Sequence, residues 1–300
     1  LFAEKANTAL TRLAPFSPPV PDCYHSAPRG YRLRAEFRIW HEGDDLNYVM
    51  FPPGEPRNPQ IVEAFPIASS RITDTMEPLR SALKSSTALR HKLFQVEFLS
   101  TLSDELLITL IYHRPLEDDW LQPASLLAEK FSCKIIGRSR KQKRVLDTDW
   151  VEEVINVDNR QYRYRQPEQC FTQPNGNINQ QMMQWLLREC QPTDSDLLEL
   201  YCGIGNFTLP LSQRFRSVLA TELSKPATEA ARWNVQTKRV ECRRDRGRGN
   251  GTATGARRGQ VRRAWSATRS RRPLLAGRNM AVGALNGPPA CRGGAKRKMS

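Results

Sequence analysis

The sequence predicts an α+β N-terminal domain followed by the beginning of an α/β domain with a parallel sheet. Two observations carry this prediction. Large and charged residues alternate in short segments before residue 150, and an apolar run near residue 200 ends in a glycine-containing turn. A third observation limits the second domain, because the composition changes sharply near residue 240. The two domains are therefore placed at residues 1–165 and 166–240.

The first domain is predicted from its strands and turns. Residues 31–40 alternate large and charged side chains, as a strand with one solvated face does. Gly43 and two aspartates mark a turn, and residues 46–51 return as the second strand of a hairpin. Three more elements are predicted. Helical spacing indicates a helix over residues 69–83, and strand-like runs indicate strands over residues 94–99 and 106–113.

The solvated face of the first strand is basic. It presents Arg32, Arg34 and Arg38, and residues 137–144 add five basic side chains, among them Arg138 and Lys141. A sheet face that combines arginines with aromatic rings can contact phosphates and stack bases. A solvated sheet face and a solvated loop would have the same composition, so both interpretations stay open.

The segment 197–207 predicts the strand, turn and helix of an α/β unit. Gly203 and Gly205 allow the backbone to approach a ligand closely. Glu222 ends the next strand-like run, where an acid can accept hydrogen bonds from ribose hydroxyls. Phe207 and Thr208 stand where a dinucleotide fingerprint needs its third glycine, and no P-loop lysine follows. The pattern favours S-adenosylmethionine as cofactor; the alternative is an ordinary strand–turn–helix.

The chain beyond residue 240 has a different composition. Residues 241–300 hold 16 of the 46 basic residues and two acids, Glu241 and Asp245, which gives a net charge of +14. Because few large apolar residues are available there for burial, we predict that residues 241–300 are disordered. A basic RNA-binding arm is one interpretation of this tail.

A frameshift near residue 240 is the interpretation that we favour for the tail. Back-translation of residues 241–250, read one nucleotide forward, permits Asn-Val-Val-Val-Ile-Ala-Val-Glu-Glu-Met. Such a segment is a third parallel strand followed by acids, as expected after a helix over residues 226–235. The missing initiator methionine indicates a shortened N-terminus as well.

Composition also argues against several classes of protein. The seven cysteines are scattered without a Cys-x-x-Cys pair, so we expect no zinc or iron–sulfur site, and free thiols indicate a reducing cytoplasm. The four histidines show no metal spacing and are expected to be structural or to contact RNA. No signal peptide or membrane-spanning run is evident, and we expect a cytoplasmic monomer.

Five motifs resemble the bacterial tRNA (uracil-5-)-methyltransferase family, which forms 5-methyluridine in the T loop of tRNA. They are AEFRIWH at 35–41, LRHKLFQ at 89–95, FTQPN at 171–175, LELYCG at 198–203 and ATE at 220–222. The resemblance extends from residue 1 to about residue 240. It implies an N-terminal RNA-binding domain and an incomplete Rossmann-like S-adenosylmethionine-dependent methyltransferase domain.

The resemblance also implies roles for individual residues. Gln173, Tyr201, Asn206 and Glu222 match the cofactor-binding residues of the family, and Phe94 and His113 match its RNA-facing surface. The T arm of tRNA is the implied partner.

The catalytic residues of the family have no counterpart in this sequence. The family uses a cysteine that adds to C6 of uracil and a glutamate that removes the C5 proton. Its Asp-Pro-Pro-Arg and Ser-Cys-Asn-Pro segments do not occur here, and the neighbours of Cys291 match neither. We therefore expect no catalytic residues and no activity; the alternative function is a non-catalytic RNA-binding protein with a basic tail.

Overall fold

The computed structural model describes residues 2–236 and 240–244 of the 300-residue chain. Helix α1 (Phe2–Leu13) belongs to a unit separate from the main body, Cys23–Gly249. It is amphipathic in sequence, yet it buries none of its residues. Everything that follows concerns the main body.

Seven strands form the first sheet of the main body: β1 (Arg34–Glu42), β2 (Asp45–Met50), β3 (Gln60–Ile61), β4 (Leu93–Ser100), β5 (Leu106–Tyr112), β6 (Lys134–Ser139) and β7 (Gln142–Val145). Their spatial order is β3-β2-β1-β4-β5-β6-β7. β5 and β6 run parallel, and the other neighbouring pairs are antiparallel. Strand β1 buries Ala35, Phe37 and Ile39 and exposes Glu36 and Arg38, so its predicted alternation is confirmed.

Three helices accompany this sheet: α2 (Ser70–Ser85), α3 (Thr87–Arg90) and α4 (Leu121–Lys130). Helix α2 buries Ile72, Met76, Leu79 and Leu83, a spacing of three and four residues that forms one apolar stripe. Helix α4 is the crossover between the parallel strands β5 and β6, a connection that parallel pairing requires.

Aromatic side chains dominate the core between the sheet and its helices. Phe37, Tyr48 and Phe98 pack at ring-centroid distances of 5.3–6.2 Å. Trp120 is fully buried and donates its indole N–H to Tyr112 Oη at 3.0 Å. A Cβ at Gly137 would lie 2.7 Å from the Trp120 ring, so the indole requires a glycine on β6. The predicted α+β class of this domain is confirmed.

The rest of the chain begins with the hairpin β8 (Trp150–Val157) and β9 (Arg160–Pro167), followed by helix α5 (Gly176–Glu189). An alternating α/β unit comes next: β10 (Asp196–Leu200), α6 (Thr208–Leu211), β11 (Ser217–Glu222), α7 (Lys225–Asn234) and β12 (Val240–Arg244). Strands β10, β11 and β12 pair in parallel in that order. This arrangement confirms the Rossmann-like class.

Two predicted boundaries differ from the structure. The boundary between residues 165 and 166 falls inside β9, and residues 241–244, assigned to an unstructured tail, complete β12 instead. Cys242, which was expected in a segment without structure, is buried in that strand. Val240 aligns with Val218 and Cys242 with Ala220, so pairing along β11 gives the segment its strand structure. The predictions for residues 245–300 lie outside the described residues.

Candidate cofactor and nucleic-acid sites

The glycine turn, residues 201–207, begins directly after β10. Tyr201, Gly203 and Gly205 all have positive φ, of 59°, 58° and 82°. A Cβ at Gly205 would approach Val235 Cγ2 to 3.1 Å, whereas nothing lies within 4 Å of one at Gly203. Glycine is therefore needed at position 205 for both backbone conformation and packing, and at position 203 for conformation alone.

Glu222 closes this turn from the neighbouring strand. Its Oε2 accepts the Gly203 N–H at 3.0 Å, and its Oε1 accepts the N–H groups of Leu223 and Ser224 at 2.7 Å each. Because β10 and β11 are parallel neighbours, their carboxyl ends place the acid beside the turn. The sequence-predicted pair of Glu222 and the glycine turn thus meets in the structure.

Asn206 is held by a helix that the sequence did not connect with the turn. Its side-chain amide exchanges two hydrogen bonds with Asn179 of α5, at 2.8 and 3.0 Å. Its backbone carbonyl accepts the Tyr164 hydroxyl at 3.0 Å. Asn179 is a polar residue on the buried stripe of α5 that also contains Met183 and Leu186, and that position could have identified it.

The other two predicted cofactor residues are Tyr201, the first residue of the turn, and Gln173, which lies outside it. Tyr201 is 83% exposed at the end of β10. Gln173 is half-buried just before α5, and the neighbouring Pro174 carbonyl accepts the Leu33 N–H at 2.7 Å. Asn175 caps α5 by accepting the Ile178 N–H at 3.0 Å. Both residues thus lie near the beginning of α5: Gln173 precedes the helix, and Asn206 bonds to Asn179 in its first turn.

Two further polar residues fix the turn, and neither role was predicted from the sequence. Asn234 donates to the carbonyls of Ile204 and Arg165 and accepts the Arg165 N–H, so it joins the turn to β9. Glu199 accepts the Thr208 hydroxyl at 2.6 Å, and burial raises the pKa of its carboxyl to about 7. The turn is thus braced from β9, β10 and α7.

A stack of three side chains lies on the first sheet. The Phe94 ring stacks on His113 with centroids 3.9 Å apart, and Arg38 Cζ lies 3.8 Å from the centre of the Phe94 ring. Arg38 and His113 are exposed. Arg38 lies in β1 and Phe94 in the adjacent β4, and His113 directly follows β5, the next strand of the sheet. Such a pairing of cation and aromatic surface can bind a phosphate and a base together.

Two of the predicted RNA-contacting arginines make internal contacts instead. Arg138 forms a two-pronged ion pair with Glu168, which is 4% exposed. Arg34 donates to the backbone carbonyls of Glu168 and Cys170. Lys143 Nζ lies 3.4 Å from the same Glu168 carboxylate. These side chains join the first sheet to the segment that follows β9.

The remaining predicted basic residues lie nearer the solvent. Arg32 Nε donates to the Arg34 carbonyl at 2.8 Å, and Lys141 is exposed at the tip of the β6–β7 turn. Among the histidines, His41 Nε2 lies 2.8 Å from the Leu93 carbonyl, which makes its role structural. The RNA-contacting roles of Arg32 and Lys141 stay predictions.

The described residues contain neither a candidate metal site nor a candidate membrane span. No cluster of three potential metal ligands occurs among them, and none of their helices is long and apolar enough to cross a bilayer. A polar surface pocket at the β8–β9 turn contains none of the predicted cofactor residues; it is lined by Asn156, Asp158, Asn159, Arg160, Gln161 and Gln184.

Residues 1–243 match the family model of tRNA (uracil-5-)-methyltransferase. The chain belongs to this family. A tRNA/tmRNA (uracil-C(5))-methyltransferase of Aromatoleum aromaticum is 50% identical over 234 residues, which are 78% of this chain and 64% of the relative. The protein of the same name from Azotobacter vinelandii is 51% identical over 240 residues, 80% of this chain and 66% of the relative. The chain therefore spans about two thirds of the length of these relatives.

The fold is also similar to that of a solved structure. The crystal structure of Pyrococcus abyssi tRNA (uracil-54, C5)-methyltransferase in complex with S-adenosyl-L-homocysteine matches with a TM-score of 0.61 at 14% identity. The match covers 84% of this chain and 64% of that one. At 14% identity, this likeness establishes the fold of the chain and nothing beyond the fold.

Proposed function

We propose that the chain provides the RNA-binding domain and part of the cofactor site of an S-adenosylmethionine-dependent methyltransferase that acts on C5 of uracil 54 in the T loop of tRNA. One observation carries this proposal: Glu222 and the glycine turn meet at the carboxyl ends of two parallel strands, through the bond from Gly203 N–H to Glu222 Oε2. Ligands of open α/β sheets bind at that edge. The names of the relatives supply the substrate class.

Each cofactor residue has a task that its geometry supports. Glu222 has oxygen lone pairs beyond those used by three backbone N–H groups, and these accept the ribose hydroxyls. Gly203 and Gly205 let the backbone approach the ligand, and Tyr201, Asn206 and Gln173 border it. S-adenosylmethionine, when bound, supplies an electrophilic methyl group on its sulfonium.

The T arm binds on the face of the first sheet that carries Arg38, Phe94 and His113. The stack offers aromatic surface for a base and a guanidinium for a phosphate. Arg32 and Lys141 add positive charge. Because Arg34 and Arg138 are engaged with the segment around Glu168, they hold this face in place rather than contact RNA.

The chain as printed performs no methyl transfer. The family reaction needs a cysteine thiolate at C6 and a glutamate base, and the segments that carry them have no counterpart in residues 1–300. Cys202 is buried in the glycine turn, where its thiol donates to the Gly203 carbonyl, so it is not such a nucleophile. The protein acts as a monomer in the cytoplasm.

A second candidate function is RNA binding without catalysis, strengthened by the basic tail. The 16 basic residues after position 240 favour it, since clustered positive charge raises the affinity for any polyanion. The two candidates differ in whether the cofactor binds. S-adenosylhomocysteine binding that depends on Glu222 supports the first; absence of binding supports the second.

Binding of tRNA tests the function that both candidates share. We expect the chain to bind unmodified tRNA with an affinity that falls as salt rises. Phe94→Ala should weaken binding by about 5- to 100-fold, because base–aromatic stacking contributes about 1–3 kcal/mol. Leu126→Ala, which removes an exposed apolar side chain of α4, is the control. Equal affinity of Phe94→Ala and the unaltered chain in a filter-binding titration would refute this surface.

A further inference from the structure

Two cysteine side chains meet in the small core beneath the parallel sheet. Cys202 is the second residue after β10 and Cys242 lies in the middle of β12, yet both pack against Val218, Ala220 and Ala231. The Cys202 N–H donates to the Thr221 carbonyl at 3.0 Å, and Ala220 pairs directly with Cys242 across the sheet. Strand β11 thus brings the two cysteines together in one small cluster, in which the Cys202 thiol donates to the Gly203 carbonyl at 3.7 Å.

The surroundings make the two thiols unequal. The neighbouring Cys242 thiol, burial and the nearby carboxylates of Glu199 and Glu222 raise the pKa of the Cys202 thiol. The neighbouring Cys202 thiol lowers the pKa of Cys242, and the guanidinium of Arg232 acts in the same direction. Arg232 Nε donates to the Cys242 carbonyl at 3.2 Å, so this charge is held beside the strand. An activated thiol next to a protonated one is the arrangement of redox-sensing pairs.

We propose that Cys202 and Cys242 form a redox-active dithiol that hydrogen peroxide oxidises to a disulfide beside the glycine turn. The Cys242 thiolate attacks one peroxide oxygen, the O–O bond breaks, and a sulfenic acid and hydroxide form. Cys202 then loses its proton to this base, which gives the first water, and attacks the Cys242 sulfur, which expels the sulfenic oxygen as hydroxide. The proton that Cys242 released when it ionised converts this hydroxide into the second water. Two thiols and one peroxide give one disulfide and two waters, so the two electrons pass from sulfur to oxygen.

Peroxide suits this site because the pair is nearly enclosed. Cys202 and Cys242 are 6% and 9% exposed, which admits a small uncharged oxidant more readily than a bulky disulfide. The other buried thiol among the described residues, Cys170, differs in its pKa and in its neighbours. Cys170 packs with Ile204, Ala227 and Ala230, and burial raises the pKa of its thiol to about 11. It therefore stays protonated and has no sulfur partner in its cluster as described.

The disulfide would connect the residue before Gly203 to β12. It would close a loop that contains β11 and α7, and it would fix one side of the glycine turn. This inference concerns the two thiols themselves and does not rest on the proposed function.

The test is peptide mapping of the full chain after brief exposure to hydrogen peroxide, with the remaining thiols alkylated in denaturant. We expect a peptide pair joined between Cys202 and Cys242, lighter by about 2 Da than the two thiol peptides and restored by a reductant. Cys170 should be recovered alkylated. Recovery of both Cys202 and Cys242 alkylated, at peroxide levels that already oxidise the exposed Cys23, would overturn the proposal.

A single substitution tests the order of the two steps. In Cys202→Ser the second step is blocked, so the sulfenic acid should persist on Cys242 and be trapped there by dimedone. Because the peptide map above uses the unaltered chain, it decides the proposal even if this variant folds poorly. Joining of Cys202 to any cysteine other than Cys242 in the unaltered chain would also contradict it.

Discussion

Glu222 combines a structural and a proposed binding role in one carboxylate. Its three bonds to backbone N–H groups fix the turn and the end of β11 at once. Sequence spacing alone identified this residue, because an acid at the end of the second strand of an α/β unit lies beside the first turn. The amide pair of Asn206 and Asn179 had no such local indication, since its members are 27 residues apart and on different elements.

Substitution of Glu222 should reduce cofactor affinity. Glu222→Gln removes the charge from a hydrogen-bonded site, and bonds to charged groups contribute about 1.5–3 kcal/mol. We therefore expect S-adenosylhomocysteine to bind about 10- to 100-fold more weakly by calorimetry. Glu229→Gln, on the exposed face of α7, is the control and should leave the affinity unchanged. Equal affinities for all three proteins would remove Glu222 from the site.

The two glycines of the turn should respond differently to alanine. Gly205→Ala meets both a positive φ of 82° and the Val235 side chain at 3.1 Å, and should lower the free energy of unfolding by about 2–3 kcal/mol. Gly203→Ala meets only an unfavourable φ, at a cost of about 1 kcal/mol. Urea titration of both variants measures the difference. A larger loss at Gly203 than at Gly205 would show that packing against α7 does not constrain the turn.

At the level of elements, buried carboxylates join parts of the chain that are distant in sequence. Glu168 forms ion pairs with Arg138 and Lys143. Glu153, which is 1% exposed, accepts the Leu102 N–H at 3.0 Å and the Val154 N–H at 3.1 Å. The alternation of β1 and the apolar runs of β4 and β5 could be predicted because both patterns are local in the sequence. Arg34 and Arg138 could not be assigned, because their partners follow β9 and only the folded chain brings them together.

Glu153 should make stability depend on pH. Burial raises the pKa of its carboxyl from 4.5 to about 7, so the folded protein binds this proton more tightly than the unfolded chain. The resulting stabilisation is fully present below pH 4.5 and is lost as the pH rises through 7. Glu153→Gln should remove it, so that the difference in unfolding free energy from the unaltered chain changes by about 2–3 kcal/mol across this window.

The neighbouring Glu152 provides the control for this titration. It pairs with Arg163 on the hairpin, and Glu152→Gln should keep the pH dependence of the unaltered chain. Glu199 titrates in the same window but is present in every protein compared, so its contribution cancels. Parallel pH profiles for Glu153→Gln and the unaltered chain, from chemical unfolding, would show that Glu153 does not carry the effect.

At the scale of the whole molecule, the α/β domain shows apolar surface that parallel sheets normally cover. Leu198 and Leu200 of β10 are 46% and 59% exposed, although parallel strands are usually buried on both faces. The chain spans 64% of the length of the Aromatoleum relative. The sequence could identify the family and the order of elements. It could not place the end of β12, because pairing along β11 extends that strand past the predicted boundary.

Methyl transfer from labelled S-adenosylmethionine to unmodified tRNA tests the central claim most directly. We expect the chain to bind the tRNA, and the tRNA to incorporate no label above a protein-free control. The thiolate that attacks C6 and the base that removes the C5 proton are missing from the sequence. The Azotobacter vinelandii relative, assayed in parallel, provides the positive control. Incorporation above background by the chain itself, and its loss in Cys291→Ala, would contradict the account.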